Sequence, residues 1–171
     1  MALAGDVATI FGVPAHPLLV HAVVVLLPLA SVAAIAVAVV PKWRRRYSWP
    51  VLGVTLVGVG SVPLAQQAGE QLYDRLSSLG NPLIERHADL GNDLLPFALG
   101  FGVAVIALMV AGKLADRERA ADAEGGSVPR TWRTIAVVVA VLVVAGGIAT
   151  TVQTVRIGHS GATAVWQGVG S

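Results

Sequence analysis

The sequence predicts an all-α integral membrane protein, a four-helix up-and-down bundle built as one domain over residues 1–171. Three observations predict it. Hydrophobic residues make up 55% of the chain and charged residues 13%, against roughly a quarter charged in a soluble domain. The apolar residues gather into four long runs, each near the roughly 20 residues that cross about 30 Å of hydrocarbon. The cores of those runs hold no Asp, Glu, Lys or Arg, and a single histidine, His21. Backbone groups in lipid have to be bonded within their own segment, so such runs fold as helices.

The spans fall at about 17–40, 50–67, 93–112 and 134–155. Residues 1–15 carry no Lys or Arg, and the first apolar run is longer than a signal-peptide core, so the first span is expected to be retained. Orientation follows from the basic residues. The connection PKWRRRYSW after the first span holds Lys42, Arg44, Arg45 and Arg46, and the connection after the third holds Lys113, Arg117, Arg119, Arg130 and Arg133. The opposite side holds only Arg75, Arg86 and Arg156. Positive connections stay in the cytoplasm, which places both termini outside the plasma membrane. Trp43, Trp49 and Trp132 then stand as interfacial anchors at the cytoplasmic ends.

Helices two and three are expected to extend beyond the lipid on the outer side. QQAGEQLYDRLSS after Ala65 is polar and helix-compatible, SLGN makes a turn, and Pro82 opens the next helix. ERHADLGND then leads into the third span without a strong break. The mixed-charge segment from Asp116 to Arg130 reads as a flexible linker without chemistry. Pro28, Pro63 and Pro96 lie within or at the edge of spans, where each removes a helical hydrogen bond. Gly53, Gly58, Gly60, Gly100, Gly102, Gly146 and Gly147 are read as close helix packing through small residues, the alternative being room for a flat cofactor.

Composition also excludes. With no cysteine there is no disulfide, iron–sulfur cluster, thiolate metal site or cysteine-attached haem. A net charge of +2 gives no reason to expect a nucleic-acid partner; the lipid bilayer is the expected one. The span cores lack the ionisable residues that mark ion or proton pathways, which argues against a transporter or channel. No metal-protease helix, phosphate loop or nucleophile elbow is present.

The chemistry-bearing residues gather at one end. His16, His21, His87 and His159 all map to the outer side. Counting from the cytoplasmic helix ends at about 1.5 Å per residue, His21 and Glu70 form an inner layer at the edge of the hydrocarbon. His16, His87 and His159 stand roughly 6–10 Å higher. Each of the four spans thus sends a polar residue to one mouth. Imidazoles suit haem iron, zinc and copper. Three histidines with an open position resemble a zinc site, whereas two on facing helices hold a b-type haem. Arg156, three residues before His159, is placed to pair with a haem propionate or with Glu70. Each residue also has a plain reading: His16 as a helix start, His21 as an interfacial hydrogen-bonding group, and His87 and Glu70 as wet helix faces. A weak repeat aligns LLPLA at 26–30 with LLPFA at 94–98, and Gly69–Glu70 with Gly158–His159, which suggests two related hairpins.

HPLLVH at residues 16–21, Gly69–Glu70, His87 and GHSGATAVW at 158–166 resemble the bacterial membrane family filed as domain of unknown function 2231, over nearly the whole chain. Ala22 and Val23 depart from the aromatic or proline usual after the second histidine. The resemblance implies electron transfer, because relatives are joined to Rieske-type or cytochrome c-type modules; this domain is then a carrier of haem b or a quinone-side partner. The function expected is a membrane redox protein holding haem b through outer-side histidines. The alternatives are a zinc or copper site on the same face, with Glu70 as base or ligand, and a non-enzymatic membrane scaffold.

Overall fold

The structure is a computed structural model that describes residues 9, 10, 12–126 and 129–167. The first eight residues, which bear on the retained start of the chain, and Ser127 and Val128 of the expected linker lie outside the described residues. A two-residue antiparallel ladder, β1 (Thr9–Ile10) with β2 (Val13–Pro14), leads into α1 (Ala15–Val39). Then follow α2 (Pro41–Leu76), α3 (Pro82–Asn92), α4 (Leu94–Ala123) and α5 (Thr131–Trp166). Among the described residues, four helical segments, counting α3 with α4, are long and apolar enough to cross a membrane. The chain is a multi-pass membrane protein, and outward side chains such as Val32, Val103, Val137 and Val141 are its lipid-facing skin.

The helices run further than the apolar cores. PKWRRRYSW is not a loop: α2 starts at Pro41, with only Val40 between it and the end of α1, because proline suits the first helical position. The expected linker from Asp116 is also corrected. α4 continues to Ala123, and its last turns are bonded to the neighbours: Asp116 takes Arg45 at 3.0 and 3.1 Å and Arg119 at 2.7 Å, and Asp122 takes Arg133 at 2.7 Å. At the other end α2 closes in a 3-10 turn over Ser77–Leu79. Gly80 turns left-handed at φ 61°, a conformation glycine adopts without strain. Asn81 caps α3 by accepting from the Leu83 N–H at 2.9 Å. A break at Asp93 separates α3 from α4, so Pro96 falls in the first turn of α4, where its missing N–H costs no helical bond. Pro28 and Pro63 sit inside continuous helices.

α1 packs on α2 and α5, and α4 packs on α5 and more lightly on α2, so α1 and α4 stand diagonally. The two diagonal helices bury the same register. An interval of 71 residues carries Val23 to Leu94, Leu27 to Ala98, Ala30 to Phe101, Ala34 to Val105 and Val37 to Leu108, all buried. An interval of 92 carries Val51 to Val143, Thr55 to Gly147, Gly58 to Thr150 and Ser61 to Gln153. The chain is two hairpins of one plan. The LLPLA–LLPFA alignment is off by three residues, close to one helical turn, which apolar stretches permit because their residues are interchangeable. Large faces small across the repeat: Phe101 fills the centre against Gly146 and Gly147, whose hypothetical Cβ atoms would lie 3.5 and 3.4 Å from it. Gly58 and Gly102 likewise face Leu27 and Val59, which is packing; Gly53, Gly60 and Gly100 have nothing within 4 Å.

Candidate functional site

At the end of the bundle opposite the nine clustered basic residues, α1, α2, α3 and α5, with Leu94 of α4, line a half-open chamber of about 460 Å³. That lies in the range of roughly 300–1,000 Å³ typical of small-molecule sites. His16, from the first turn of α1, and His87, from the middle of α3, meet inside it. Their ring centroids are 6.3 Å apart and their planes cross at 77°.

Each imidazole is mounted in the same way. The His16 ring lies on Gly69 of α2, where an added Cβ would come within 2.9 Å of Cε1 and 3.0 Å of Nδ1. The His87 ring lies on Gly161 of α5, where an added Cβ would come within 2.9 Å of Cε1. His16 Nδ1 is 3.0 Å from the carbonyl of Ala65, four residues before Gly69. A carbonyl only accepts, so Nδ1 carries the proton. His87 Nδ1 is 3.0 Å from Ser160 Oγ, which donates at 2.8 Å to the carbonyl of Ile157, four residues before Gly161. The serine proton is committed to Ile157, so Ser160 accepts from His87. Both tethers hold the imidazole by Nδ1 and leave Nε2 with its lone pair, the arrangement of a metal-ligating histidine oriented by its second nitrogen.

The chamber wall repeats with the same intervals. His16 and His87, His21 and Asn92, Gly69 and Gly161, Gln66 and Gly158, Glu70 and Ala162, and Tyr73 and Val165 are matched lining positions. The first hairpin therefore supplies a polar wall and the second a mostly apolar one. His21 lines the chamber, exposed, with Nδ1 turned back to the carbonyl of Pro17 on its own helix at 2.5 Å. Glu70 lines it too, also exposed. The structure does not bring His159 or Arg156 there. His159 is exposed on α5 while its neighbours Gly158 and Gly161 form the wall. Arg156 is exposed and donates to Gln153 Oε1 at 3.1 Å. Two residues missed from the sequence are Ser160 and Gly161. Their signal was the interval between the hairpins, since Gly161 stands 92 residues after Gly69.

Among the described residues, no three of His, Cys, Asp and Glu are grouped to hold a metal ion. What the site offers is a pair. Two imidazoles on opposite sides of one metal have centroids ~6.2–6.4 Å apart, given metal–nitrogen bonds of about 2.0–2.1 Å and a ring nitrogen about 1.1 Å from the ring centre. The 6.3 Å between His16 and His87 fits that separation.

A family model described as "Predicted membrane protein (DUF2231)" matches residues 12–170. No curated protein and no solved structure matches the chain.

Proposed function

The chain belongs to the DUF2231 family of predicted membrane proteins, and from that premise we propose that it is a membrane redox protein whose His16 and His87 hold a b-type haem between the two hairpins. One observation carries the reading: the 6.3 Å, near-perpendicular histidine pair, each ring tied by Nδ1 and backed by glycine. A haem iron takes at most two ligands from the protein because the porphyrin supplies four, so a pair is sufficient. A zinc site closed by protein needs four donors and a catalytic one three, which favours haem over the zinc alternative. A two-coordinate copper site remains the competitor that the same pair would serve.

Bound haem would supply one-electron chemistry. The chain's own residues would do the rest. His16 and His87 would hold the iron, with Ala65 and Ser160 fixing the ring tautomers. Leu72, Leu76, Ile84, Leu94 and Ile157 would cover the apolar part of the macrocycle, which lowers the polarity around the iron. His21, Gln66 and Tyr73 would offer hydrogen bonds to its polar edge. The partner belonging to this reading is a Rieske-type or cytochrome c-type electron carrier meeting the histidine end.

The test is an absorption spectrum of detergent-solubilised protein, oxidised and reduced, with elemental analysis alongside. A Soret band that disappears in His16→Ala is expected. Stoichiometric copper without a Soret band would move the assignment to the copper reading, and neither group, even after reconstitution, would sink both.

The histidine end is assigned to the outer face of the plasma membrane on the strength of the nine basic residues at the other end. The absence of native cysteine makes this measurable. Ser78→Cys, at the histidine end, is expected to react with an impermeant maleimide in intact cells, and Ala123→Cys only after permeabilisation. The reverse pattern would invert the topology.

A further inference from the structure

The two histidines are mounted with unequal stiffness, and this gives the site a second capacity. His16 stands on α1, a helix of 25 residues, and bonds directly to a main-chain carbonyl of α2. His87 stands on α3, a helix of 11 residues with no fully buried residue. α3 is bounded by the left-handed Gly80 at one end and the break at Asp93 at the other. Its C-terminal end is pinned: Gln66 donates to the carbonyls of Gly91 and Asn92 at 2.9 and 3.2 Å, and Gln153 donates to that of Leu90 at 3.3 Å. His87 itself is held by a serine hydroxyl, an acceptor that rotates about one bond. Segments with few buried contacts open locally at low free energy, so a swing of α3 about its pinned end is the least costly way to part the pair.

We propose that His87 is the exchangeable member of the pair, and that its release lets the chamber take a small uncharged ligand on the α3 side. The inference rests on the reading of His16 and His87 as haem ligands. It adds a ligand class to that reading: a neutral diatomic or similarly small donor, because the walls on that side are Ile84, Ala88, Leu94 and Ile157 with the neutral Asn92 and Thr154, which offer a charged ligand no counter-charge. The step is a ligand exchange. The His87 Nε2–iron bond breaks, one donor–iron bond forms, the imidazole keeps its lone pair, and no electron is transferred.

Carbon monoxide is the probe, added at saturation to the reduced haem-loaded protein. The wild type is expected to shift its Soret band at a rate set by His87 release. Ser160→Ala, which removes the tether, is expected to bind about tenfold faster, in line with the roughly 10–100-fold effects of ligand-orienting partners, and Ser160→Thr to restore the wild-type rate. His87→Ala is expected to keep a Soret band and bind without that limit, and His16→Ala to lose the haem. A Soret band in the reduced wild type that carbon monoxide leaves unmoved overturns the exchange while sparing the haem reading. Loss of haem in His87→Ala but not in His16→Ala overturns the choice of His87. A wild type without any Soret band overturns the haem reading, and this inference with it.

Discussion

Gly69→Ala and Gly161→Ala are each expected to weaken binding of the guest by about 10–100-fold while leaving the apo protein as stable as before, or more so. The two effects have opposite signs for a physical reason. Both glycines lie inside α2 and α5, long helices of 36 residues each, where glycine costs about 1 kcal/mol relative to alanine. Their use is space. A Cβ at either position would stand 2.9 Å from a histidine Cε1, where carbon atoms prefer about 3.5–4.0 Å. The ring has to lift off its helix, and the Nδ1 bond to Ala65 or Ser160 goes with it. Gly60→Ala and Gly100→Ala are the controls. Nothing lies within 4 Å of a Cβ there, so binding should be unchanged. Haem content per protein and thermal melting of the apo form read the two effects separately. Full haem content in Gly69→Ala, with the affinity of the wild type, would remove the argument that glycine makes the seat.

Glu118→Ala is expected to destabilise the fold by about 2–4 kcal/mol, from two charge-assisted hydrogen bonds of about 1.5–3 kcal/mol each, reduced by the water that replaces the carboxylate. Glu118 is buried on α4, and its carboxylate accepts from the backbone N–H groups of Trp132 at 2.9 Å and Arg133 at 3.0 Å. These are free donors in the first turn of α5, which has no cap of its own. One helix therefore caps the next, and the carboxylate also meets the positive end of the α5 dipole. Glu118→Gln keeps an acceptor and loses the charge, so roughly half the loss is expected. Thermal or denaturant melts of the three proteins decide it. If Glu118→Ala melts like the wild type, the cap contributes nothing.

Much of this was legible in the sequence because it depends on composition along a line. The four spans follow from runs of apolar residues, and the gathering of His16, His21, Glu70 and His87 at one end follows from counting residues along helices. Height, however, says nothing about rotation. His159 and Gly161 differ by two positions, about 200° around a helix, so one looks outward while the other forms a wall. That is why depth alone grouped His159 with His16 and His87. The helical end of α4 was hidden for a different reason. DRERAADAE has the composition of a solvated linker, and only the partners Arg45, Trp132 and Arg133, distant in sequence, make it ordered structure. Ser160 was silent because a serine beside a glycine near the end of a helix carries no signal until a histidine from another hairpin is laid against it.

The division of the seat between two hairpins has a consequence for how the protein is made. His16 finds Gly69 and Ala65 within the first hairpin, but His87 has neither floor nor tether until the chain has reached Gly161. A nascent chain with three helices in the membrane therefore carries one seated imidazole and one unseated. The chamber can close on a guest only after the last helix has been delivered, so loading reports that insertion is complete.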